Sequence, residues 1–331
     1  ALLDAAAVRA AVPPRAAVDA LEAVLRGGFD PEQDTPRTRV ATQAGELLQM
    51  PSTAGDLVGV KLLTLTPDNP SRDLPTIQGL YVLFGGPGQS PRAVLDGAAV
   101  TDVRTPAVSA LGDALARRGA RSAHTDDGGA ASPGAGLASG GERGEDPARL
   151  TVVFGTGVQA WAHLETFAGL GRLGEVRVVG RRADAVDALC TRAREGLGLD
   201  ARPGTAADVA KADLVLCCTA SPESLFDGAL VREDAVVVAM GSHTPDAREL
   251  DDALLRRAWV LVESQDSALR EAGDVVLALG SGALGSPEEL VTFADVAQGR
   301  AVRPAGVPAV VKTTGMPWQD LAVAAAAVGV G

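Results

Sequence analysis

Aromatic and basic residues are scarce in this sequence, and their scarcity argues against nucleic-acid binding. Aromatic side chains make up 3% of the 331 residues, and the formal net charge at pH 7 is −12. A nucleic-acid-binding protein needs a cationic surface that displaces counterions from phosphates, and often aromatic rings on which bases stack. Nucleic acid is therefore not an expected partner.

Long apolar runs and paired cysteines are also missing. No segment reaches the roughly 20 apolar residues of a membrane-spanning helix, and the opening ALLDAAAVRAAVPP lacks the basic start of a secretory signal. Three cysteines, Cys190, Cys217 and Cys218, cannot form a disulfide framework. We therefore expect a cytoplasmic protein without a membrane partner, and no Cys/His/Asp spacing predicts a metal site.

Lysine is nearly absent, which draws attention to the three that are present. Among the 30 basic side chains only Lys61, Lys211 and Lys312 are lysines. Lys211, on a polar connection, is expected to be a solvated residue without a particular function. Lys312 is expected to have a structural role. Lys61 lies in the apolar segment LVGVKLLTL, where a partly desolvated ammonium gives up its proton more easily and suits a general acid or an orienting donor. The alternative is a lysine on an edge strand, where its charge prevents the strand from pairing with another chain.

What the sequence has in abundance, from Leu150 onward, is short apolar runs that alternate with helical patterns. Such continuous apolar strands are typical of a parallel sheet covered on both faces. They predict an α/β fold with a Rossmann-type doubly wound domain at residues 148–310. The predicted strands are Thr151–Phe154, Val176–Val179, Leu214–Cys218, Val236–Met240, Val260–Val262 and Val275–Leu277, and the helices between them are VQAWAHLETFAGL, ADAVDALCTRAREGL and ELDDALLRRA.

The first third of the chain has a different pattern, which predicts an α+β domain of residues 1–121 with 311–331. AAVDALEAVLRGG, VTDVRTPAVSALGDALARRG and QDLAVAAAAVGVG have helical periodicity, whereas RVATQAGELLQMP and LVGVKLLTL alternate. GLYVLFGGPGQSPRAVLDG is typical of an antiparallel hairpin. Residues 122–147, rich in Gly, Ala and Ser, predict a flexible linker with an idle, solvated His124.

A glycine motif joins the first predicted strand to the helix that follows it. Gly155, Gly157 and Ala160 form G-x-G-x-x-A in RLTVVFGTGVQAWAHL. The first glycine permits a tight turn, the second lets backbone amides approach a pyrophosphate, and the small third residue brings helix and strand together. The alternative, a simple glycine turn, is less favoured. The residues predicted to bind the dinucleotide here are Gly155, Thr156, Gly157, Val158 and Gln159.

The end of the second predicted strand indicates which dinucleotide is preferred. An acidic residue there would bind a ribose 2′-hydroxyl, but this chain has Arg181 and Arg182. Two guanidinium groups favour a 2′-phosphate, which predicts NADP(H) with NAD(H) as the second choice. The alternative is two solvated arginines. The remaining residues predicted to bind the coenzyme follow later strands: Thr219, Ala220, Met240, Gly241 and Ser242.

Several specific segments follow one another in a characteristic order along the chain: TPRTRV, MPSTAG, GVKLL, LPTIQGLYVLF, VTDVRTPAVSALG, FGTGVQAWAH, GSHTPDARELDD, VESQDSALREAGD and KTTGMPWQDLA. In these segments the chain resembles the ornithine cyclodeaminase/mu-crystallin family, over nearly its whole length apart from Ser122–Pro147. The resemblance implies a homodimer whose first domain makes the interface, and NAD(P)-dependent chemistry at the α-carbon of a small amino or imino acid.

The resemblance gives three basic residues a place at the substrate. Arg37 and Arg104 are predicted to clamp a substrate carboxylate from two sides, and Lys61 to orient it. The ordinary alternative for any single arginine is a solvated surface position. The segment KTTG resembles the family's K-S-x-G, which predicts Thr314 and Gly315 beside the substrate.

His243 stands where the cyclodeaminases that this chain resembles have an aspartate. Histidine replaces a fixed anion poorly but donates protons well near neutral pH. The alternative is a structural histidine that caps the turn at Thr244-Pro245. The family's D-x-x-T-G hairpin turn is also replaced, by GGPGQ. Both departures argue against a strict ornithine cyclodeaminase.

The leading hypothesis is therefore an NADPH-dependent reductase of a small 2-imino acid such as pyrroline-2-carboxylate, with His243 protonating the imine nitrogen. An ornithine or lysine cyclodeaminase that releases ammonia, an amino-acid dehydrogenase and a non-catalytic NADPH-dependent binding protein are the alternatives. His163 is expected to pack or face solvent. Acidic residues expected at a helix start, where they complement the dipole, are Asp246, Glu249 and Asp251.

Overall fold

The computed structural model describes residues 1–121 and 148–330 and divides the chain into two compact units. The first unit comprises Ala1–Val108 with Gly315–Gly331, and the second comprises Ser109–Thr314. The predicted linker and His124 lie outside the described residues. The predicted domain boundaries are not decided by this division and stay a prediction. In the described ranges, every helix is too short or too polar to cross a membrane.

The elements follow one another in the order that the two sequence patterns indicate. The helices are α1 (Ala5–Ala11), α2 (Pro14–Arg26), α3 (Gly97–Arg121), α4 (Val158–Gly169), α5 (Ala183–Leu197), α6 (Asp252–Leu255), α7 (Gln265–Glu271), α8 (Gly273–Ser281), α9 (Phe293–Ala297) and α10 (Pro317–Val328). The strands are β1 (Leu2–Leu3), β2 (Thr38–Thr42), β3 (Gly45–Ala54), β4 (Leu57–Leu65), β5 (Ile77–Gly85), β6 (Ser90–Asp96), β7 (Ala148–Phe154), β8 (Leu173–Val179), β9 (Asp200–Pro203), β10 (Leu214–Cys217), β11 (Val236–Ala239), β12 (Trp259–Val262), β13 (Val291–Thr292) and β14 (Ala309–Lys312).

The first unit is built on a six-stranded sheet in the order β1-β6-β5-β4-β3-β2. Pairing is antiparallel except between β1 and β6, and the predicted hairpin is confirmed as β5 and β6. Lys61 on β4 lies opposite Met50 on one side and Tyr81 on the other. These three side chains share a buried face, which α10 covers, whereas Leu62 and Leu80 face outward.

Glycines and a proline set the ends of helix α2 in the same unit. Pro14 occupies the first helical position, where its missing N–H costs nothing. Leu21 and Leu25 are fully buried, one turn apart, and the helix packs against α10. It ends at Gly27, and Gly28 follows with φ +91°, a conformation that glycine adopts without strain.

The second unit is built on an eight-stranded, wholly parallel sheet in the order β13-β12-β14-β11-β10-β7-β8-β9. Every residue of β10, β11 and β14 is buried. This confirms the predicted α/β fold with a parallel sheet. The chain runs outward from β7 through β8 and β9, then returns to β10 on the other side of β7. Such a reversal of strand order leaves a crevice at the carboxyl ends of the two strands, where doubly wound folds bind ligands.

Two of the predicted elements of this unit are wrong. The predicted strand Val275–Leu277 is part of helix α8, because a short apolar run fits a buried helix as well as a buried strand. The helix predicted at ELDDALLRRA is limited to α6, Asp252–Leu255. Asp251 caps it as predicted, with its side chain accepting from Leu254 N, whereas Asp246 and Glu249 precede the helix.

The prediction missed a central strand, β14, which pairs with both β11 and β12. Its four residues end in Lys312, and a charged side chain argues against a fully buried strand. The structure removes that objection, because Asp274 lies 2.9 Å from the Lys312 ammonium. The short strands β9 and β13 at the two ends of the sheet were missed as well.

Helix α3 approaches the sheet of the second unit closely at Gly112. A β-carbon added there would overlap the side chains of Val311 and Phe293. Gly196 is also in a helix, but its added β-carbon would meet Trp161 at 3.5 Å, an ordinary van der Waals contact.

We therefore expect the same substitution at the two glycines to have opposite effects. Gly112→Ala should lower the free energy of unfolding by about 1–3 kcal/mol through overpacking. Gly196→Ala should raise it by about 0.5–1 kcal/mol through helix propensity. Urea unfolding of both variants measures the difference, and equal changes would contradict the packing described for α3.

Candidate functional site

The glycine turn after β7 has the shape that a dinucleotide phosphate requires. Gly155 has φ +107°, its N–H donates to the Val179 carbonyl at 2.9 Å, and a β-carbon added to it would overlap the Cys218 carbonyl oxygen. Gly157 precedes the first residue of α4, and a β-carbon added there would meet no described atom within 4 Å. The turn is tight at Gly155 and open at Gly157, so the amides at the start of α4 fit an anion.

The other predicted residues of this turn lie beside the open surface. Val158 is 69% exposed although it is apolar. The side-chain oxygen of Gln159 is buried and lacks a hydrogen-bond partner among the described residues. Ala160 is fully buried, as the close approach of helix and strand requires. An exposed apolar side chain and an unpartnered polar atom at one turn are consistent with a site for a bound molecule.

Glu249 joins the two other predicted coenzyme segments. Its Oε1 accepts hydrogen bonds from Thr219 N at 2.9 Å and Thr219 Oγ1 at 2.7 Å, and its Oε2 accepts from Gly241 N at 2.7 Å. Burial raises the pKa of this carboxyl, and the nearby Lys312 opposes that rise. The prediction of Glu249 as a helix-start acid is therefore wrong, because the side chain binds two strand-end loops.

Lys312 and Asp274 form a buried ion pair behind these loops. The Lys312 ammonium lies 2.9 Å from Asp274 Oδ2 and donates to the Ser242 carbonyl at 2.6 Å. Asp274 Oδ1 accepts from the backbone N–H groups of Glu249 and Leu250 at 2.7 and 2.8 Å. Lys312 thus has a structural role. Its ammonium holds the Ser242 carbonyl directly, and it holds the Glu249 backbone through Asp274.

The two predicted arginines follow β8 directly and are exposed to solvent. Arg182 precedes α5, with a 73% exposed side chain 3.5 Å from Asp184. Gly180, just before them, is close enough to Thr156 that an added β-carbon would lie 3.0 Å from the Thr156 methyl group. Arg181 and Arg182 therefore directly follow a residue, Gly180, that lies against the glycine turn.

His243 and Thr314 lie in the second unit with different surroundings. His243 is exposed, and its Nδ1 lies 3.1 Å from the Gly241 carbonyl oxygen. Thr314 N and Oγ1 donate to Glu263 Oε2 at 2.7 and 3.2 Å. His163 packs, as expected, and burial lowers its pKa to about 4. The proximity of Thr314 to a substrate stays a prediction.

Lys61 is the centre of a charged cluster inside the first unit. Its ammonium is fully buried and donates to Asp320 Oδ1 at 2.8 Å and Thr101 Oγ1 at 3.2 Å. The pKa of Lys61 is lowered from 10.5 to about 7, because burial and the charges of Arg104 and Arg37 together outweigh the opposing effect of Asp320. An amine with this pKa exchanges protons readily at neutral pH. Lys61 lies on an inner strand, between β3 and β5, so the edge-strand alternative is wrong.

Both predicted arginines belong to the same cluster. Arg104 Nε donates to Asp320 Oδ1 at 3.3 Å, and its Nη1 lies 3.5 Å from Gln319 Oε1. Arg37 donates to the carbonyl oxygen of Gly315. A β-carbon added to Gly315, which has φ +80°, would overlap the Arg104 guanidinium. Gly315 therefore holds one arginine through its carbonyl and leaves room for the other.

Sequence reasoning missed the acidic residues of this cluster. Asp320 is fully buried in the first turn of α10. Asp34 accepts from Ser52 Oγ at 2.7 Å and from Trp318 N at 2.9 Å, and burial raises its pKa. The only available signal was an acid at a helix start, which is common in surface helices. In residues 1–121 and 148–330, no group of three or more His, Cys, Asp or Glu side chains could hold a metal ion.

Comparisons with known proteins agree on one family. The sequence model described as "Ornithine cyclodeaminase/mu-crystallin family" matches residues 3–123 and 144–328. The chain is 32% identical over 280 residues to Delta(1)-pyrroline-2-carboxylate reductase 2 of Burkholderia ambifaria, covering 84% of this chain and 78% of that protein. It is 30% identical over 287 residues to ketimine reductase mu-crystallin of Mus musculus, covering 86% and 80%.

A solved structure has the same fold. Thermococcus litoralis Delta(1)-pyrroline-2-carboxylate reductase, in complex with NADH and L-proline, superimposes with a TM-score of 0.81. The match covers 99% of this chain and 96% of that chain at 20% sequence identity. This likeness concerns the fold alone.

The open space at Gly157 leads to a prediction about coenzyme binding. Gly157→Val places a side chain where the phosphates are expected, while its φ of −86° suits any residue. We expect nicotinamide coenzyme to bind at least about tenfold more weakly, since 1.4 kcal/mol of lost contact suffices, with the melting temperature nearly unchanged. Calorimetric titration and thermal unfolding measure the two effects, and unchanged affinity would contradict this placement of the phosphates.

Proposed function

Because the chain belongs to the ornithine cyclodeaminase/mu-crystallin family, we propose that it reduces a small 2-imino acid, cyclic or linear, to the corresponding amino acid. Pyrroline-2-carboxylate represents the substrate class, since the relatives named above are reductases of this compound and of ketimines. The first unit binds the substrate and the second unit binds the coenzyme.

The observation that carries this proposal is the cluster of buried Lys61 and Arg104 with partly buried Arg37. Three cationic groups within one cluster suit a carboxylate, and a planar guanidinium binds both of its oxygens at once. Asp320 accepts hydrogen bonds from Lys61 and Arg104 and holds both in place before a substrate arrives. Low solvent exposure strengthens each of these charge interactions.

Lys61 also has the acidity that imine reduction requires. A bound nicotinamide coenzyme supplies a hydride for the imine carbon, and the imine nitrogen must gain a proton to become an amine. An ammonium with a pKa of about 7 donates that proton readily and recovers it from solvent. His243, the donor predicted from the sequence, is exposed and belongs to the second unit. We therefore propose Lys61 as the donor, with His243 as the alternative.

Two finer features complete the proposal. NADP(H) is the preferred coenzyme, supported by Arg181 and Arg182 beside the glycine turn. The active form is a homodimer, supported by apolar side chains on the outer face of the sheet of the first unit. Leu80 is 51% exposed and Leu62 37% exposed there, and a second copy that covered them would remove apolar surface from water.

An absorbance assay of NADPH oxidation with pyrroline-2-carboxylate tests the reaction and its proton donor together. The turnover number should fall by about 10²–10⁴-fold in Lys61→Met, and also in Lys61→Arg, whose guanidinium keeps the charge but cannot release a proton. His243→Ala should retain most activity. In the wild-type protein the rate should fall as the pH rises through about 7, because Lys61 loses its proton there.

Other results of these assays would indicate another proton donor or another function. A collapse confined to His243→Ala would return the proton-donor role to the histidine. Release of ammonia from ornithine or lysine, without net change in coenzyme absorbance, would indicate a cyclodeaminase. Ammonia-dependent oxidation of NADPH would indicate an amino-acid dehydrogenase. Coenzyme binding without turnover of any 2-imino acid would indicate a binding protein.

The coenzyme preference is tested separately with the double variant Arg181→Ala/Arg182→Ala. The KM for NADPH should rise at least about tenfold, because each charge-assisted hydrogen bond to the 2′-phosphate contributes on the order of 1.5–3 kcal/mol. The KM for NADH should change little. Arg202→Ala, an exposed arginine paired with Asp200, is the matched control and should affect neither. Equal losses for both coenzymes would contradict NADP(H) selection by this pair.

A further inference from the structure

We propose that Asp320 is a positioning residue that keeps the Lys61 ammonium protonated and fixed in orientation for proton transfer. This inference rests on the proposed imine reduction, because it concerns the proposed proton donor of that reaction. Asp320 lies in the segment KTTGMPWQDLA, where the sequence analysis gave it no role. Its partner Lys61 is 259 residues away along the chain.

The geometry of Asp320 joins three elements through one carboxylate. Oδ1 accepts from Lys61 on β4 at 2.8 Å and from Arg104 on α3 at 3.3 Å. Oδ2 also lies 2.8 Å from the Lys61 ammonium. The side chains of Asp320 and Lys61 are 0% and 1% exposed, so water cannot replace either partner. Both oxygens of Asp320 therefore hold the ammonium on one side.

The start of α10 holds Asp320 in place and favours its negative charge. The Asp34 carboxylate accepts the Trp318 N–H at 2.9 Å, and the Gln319 side chain accepts the Met316 N–H at 3.0 Å. These bonds fix the first turn of the helix, in which Asp320 lies. The positive end of the helix dipole stabilises an anion at this position.

The other influences on the Lys61 ammonium are burial, two arginine charges and the Thr101 hydroxyl, which accepts a hydrogen bond from it at 3.2 Å. Burial is the largest influence and lowers the pKa of Lys61, and the Arg104 and Arg37 charges lower it further. Thr101 on α3 is neutral. Tyr81 on β5 is neutral too, since burial, followed by Asp320 and Asp34, raises its pKa well above 10.

Asp34 is the second buried carboxyl in this part of the unit, and burial raises its pKa. Its carboxylate accepts hydrogen bonds from Ser52 Oγ and from the backbone N–H groups of Trp318 and Thr35. Among the charged groups named for the pKa of Lys61, Asp320 is the negative one, and it favours the ammonium through both its charge and its hydrogen bond. We therefore expect Lys61 to be less protonated at neutral pH when Asp320 is removed.

The scarcity of lysine makes the proposal directly measurable. With lysine labelled with ¹³C at Cε, the sequence gives three side-chain signals, from Lys61, Lys211 and Lys312, and each is assigned by a Lys→Arg variant. In Asp320→Asn the pKa of Lys61 should fall by at least about one unit, as expected on loss of an adjacent opposite charge. The Lys211 and Lys312 signals should titrate as in the wild-type protein.

Asp113→Asn is a matched control for the loss of a buried carboxylate. Asp113 is 1% exposed and bridges Arg117 at 2.6 Å and Arg172 at 2.8 Å, in the second unit. Its substitution should destabilise the protein without moving the Lys61 signal. Asp320→Glu, which keeps a carboxylate, should leave Lys61 titrating closer to its wild-type value than Asp320→Asn does.

Activity supplies the second measurement. The alkaline limb of kcat/KM for pyrroline-2-carboxylate should move to lower pH by the same interval as the Lys61 titration in Asp320→Asn. One unit corresponds to about tenfold less activity above the pKa. A bound substrate carboxylate adds a second anion, so the limb of kcat should lie at higher pH than that of kcat/KM.

The outcomes of these measurements decide the proposal. An unmoved Lys61 titration in Asp320→Asn overturns it, as does an equal shift in Asp113→Asn. A shifted titration without turnover in any variant supports the control of the Lys61 charge by Asp320 and rejects the proposed reaction instead. If Asp320→Asn does not fold, ¹³Cγ-aspartate spectra of wild type and Lys61→Met decide. In the wild type the Asp320 signal should shift as the neighbouring Lys61 loses its proton, and in Lys61→Met this shift should be absent. A wild-type Asp320 signal that does not shift overturns the proposal.

Discussion

The buried contact between Lys61 and Asp320 is the interaction on which the interior of the first unit depends. A lysine in the middle of a sheet loses its hydration, a cost of several kcal/mol that is offset only if a partner of opposite charge is held rigidly nearby. Here the partner comes from the last helix of the chain, which covers the same sheet face. The contact therefore ties the placement of α10 on the sheet to the chemistry of the site.

The second unit also contains a buried lysine that is paired with a buried aspartate. Lys312 ends a central strand and is neutralised by Asp274 on α8, whose carboxylate also holds the backbone of Glu249. Glu249 in turn holds the loops after β10 and β11. Lys312 holds the shape of these loops, whereas Lys61 is the proton donor that we propose. Two buried lysines with acidic partners thus have separate roles.

Local features of the sequence were sufficient to predict much of the fold. The segment LVGVKLLTL is a strand with the predicted limits, and ADAVDALCTRAREGL is a helix with the predicted limits. The glycine turn follows β7 as predicted, because strand, turn and helix formers are adjacent in the sequence. The strand prediction at Val275–Leu277 was wrong because three apolar residues carry no periodicity. Strand β14 was missed because its charged last residue is buried only with the help of a distant partner.

The candidate site could be predicted only in part for the same reason. Arg37, Lys61 and Arg104 were found from their charge and the family resemblance, and the structure brings them into one cluster. Asp320 and Asp34 were not found, because an acidic residue gains meaning only when the fold places it beside a cation. No pattern within a short window encodes a contact between Lys61 on β4 and Asp320 on α10. The role of His243 was inferred from its position after a strand and from the aspartate that similar cyclodeaminases have there, and it stays a prediction.

The distribution of the three lysines has a practical consequence for handling the protein. Lys61 and Lys312 are buried and Lys211 is exposed. Reagents that couple to side-chain amines, such as activated esters on a dye or a solid support, would join the folded chain at Lys211. Lys211 follows β9 in the second unit and takes part in neither charge network. Lys211 is thus the exposed lysine side chain at which such reagents would attach, alongside the α-amino group of the chain.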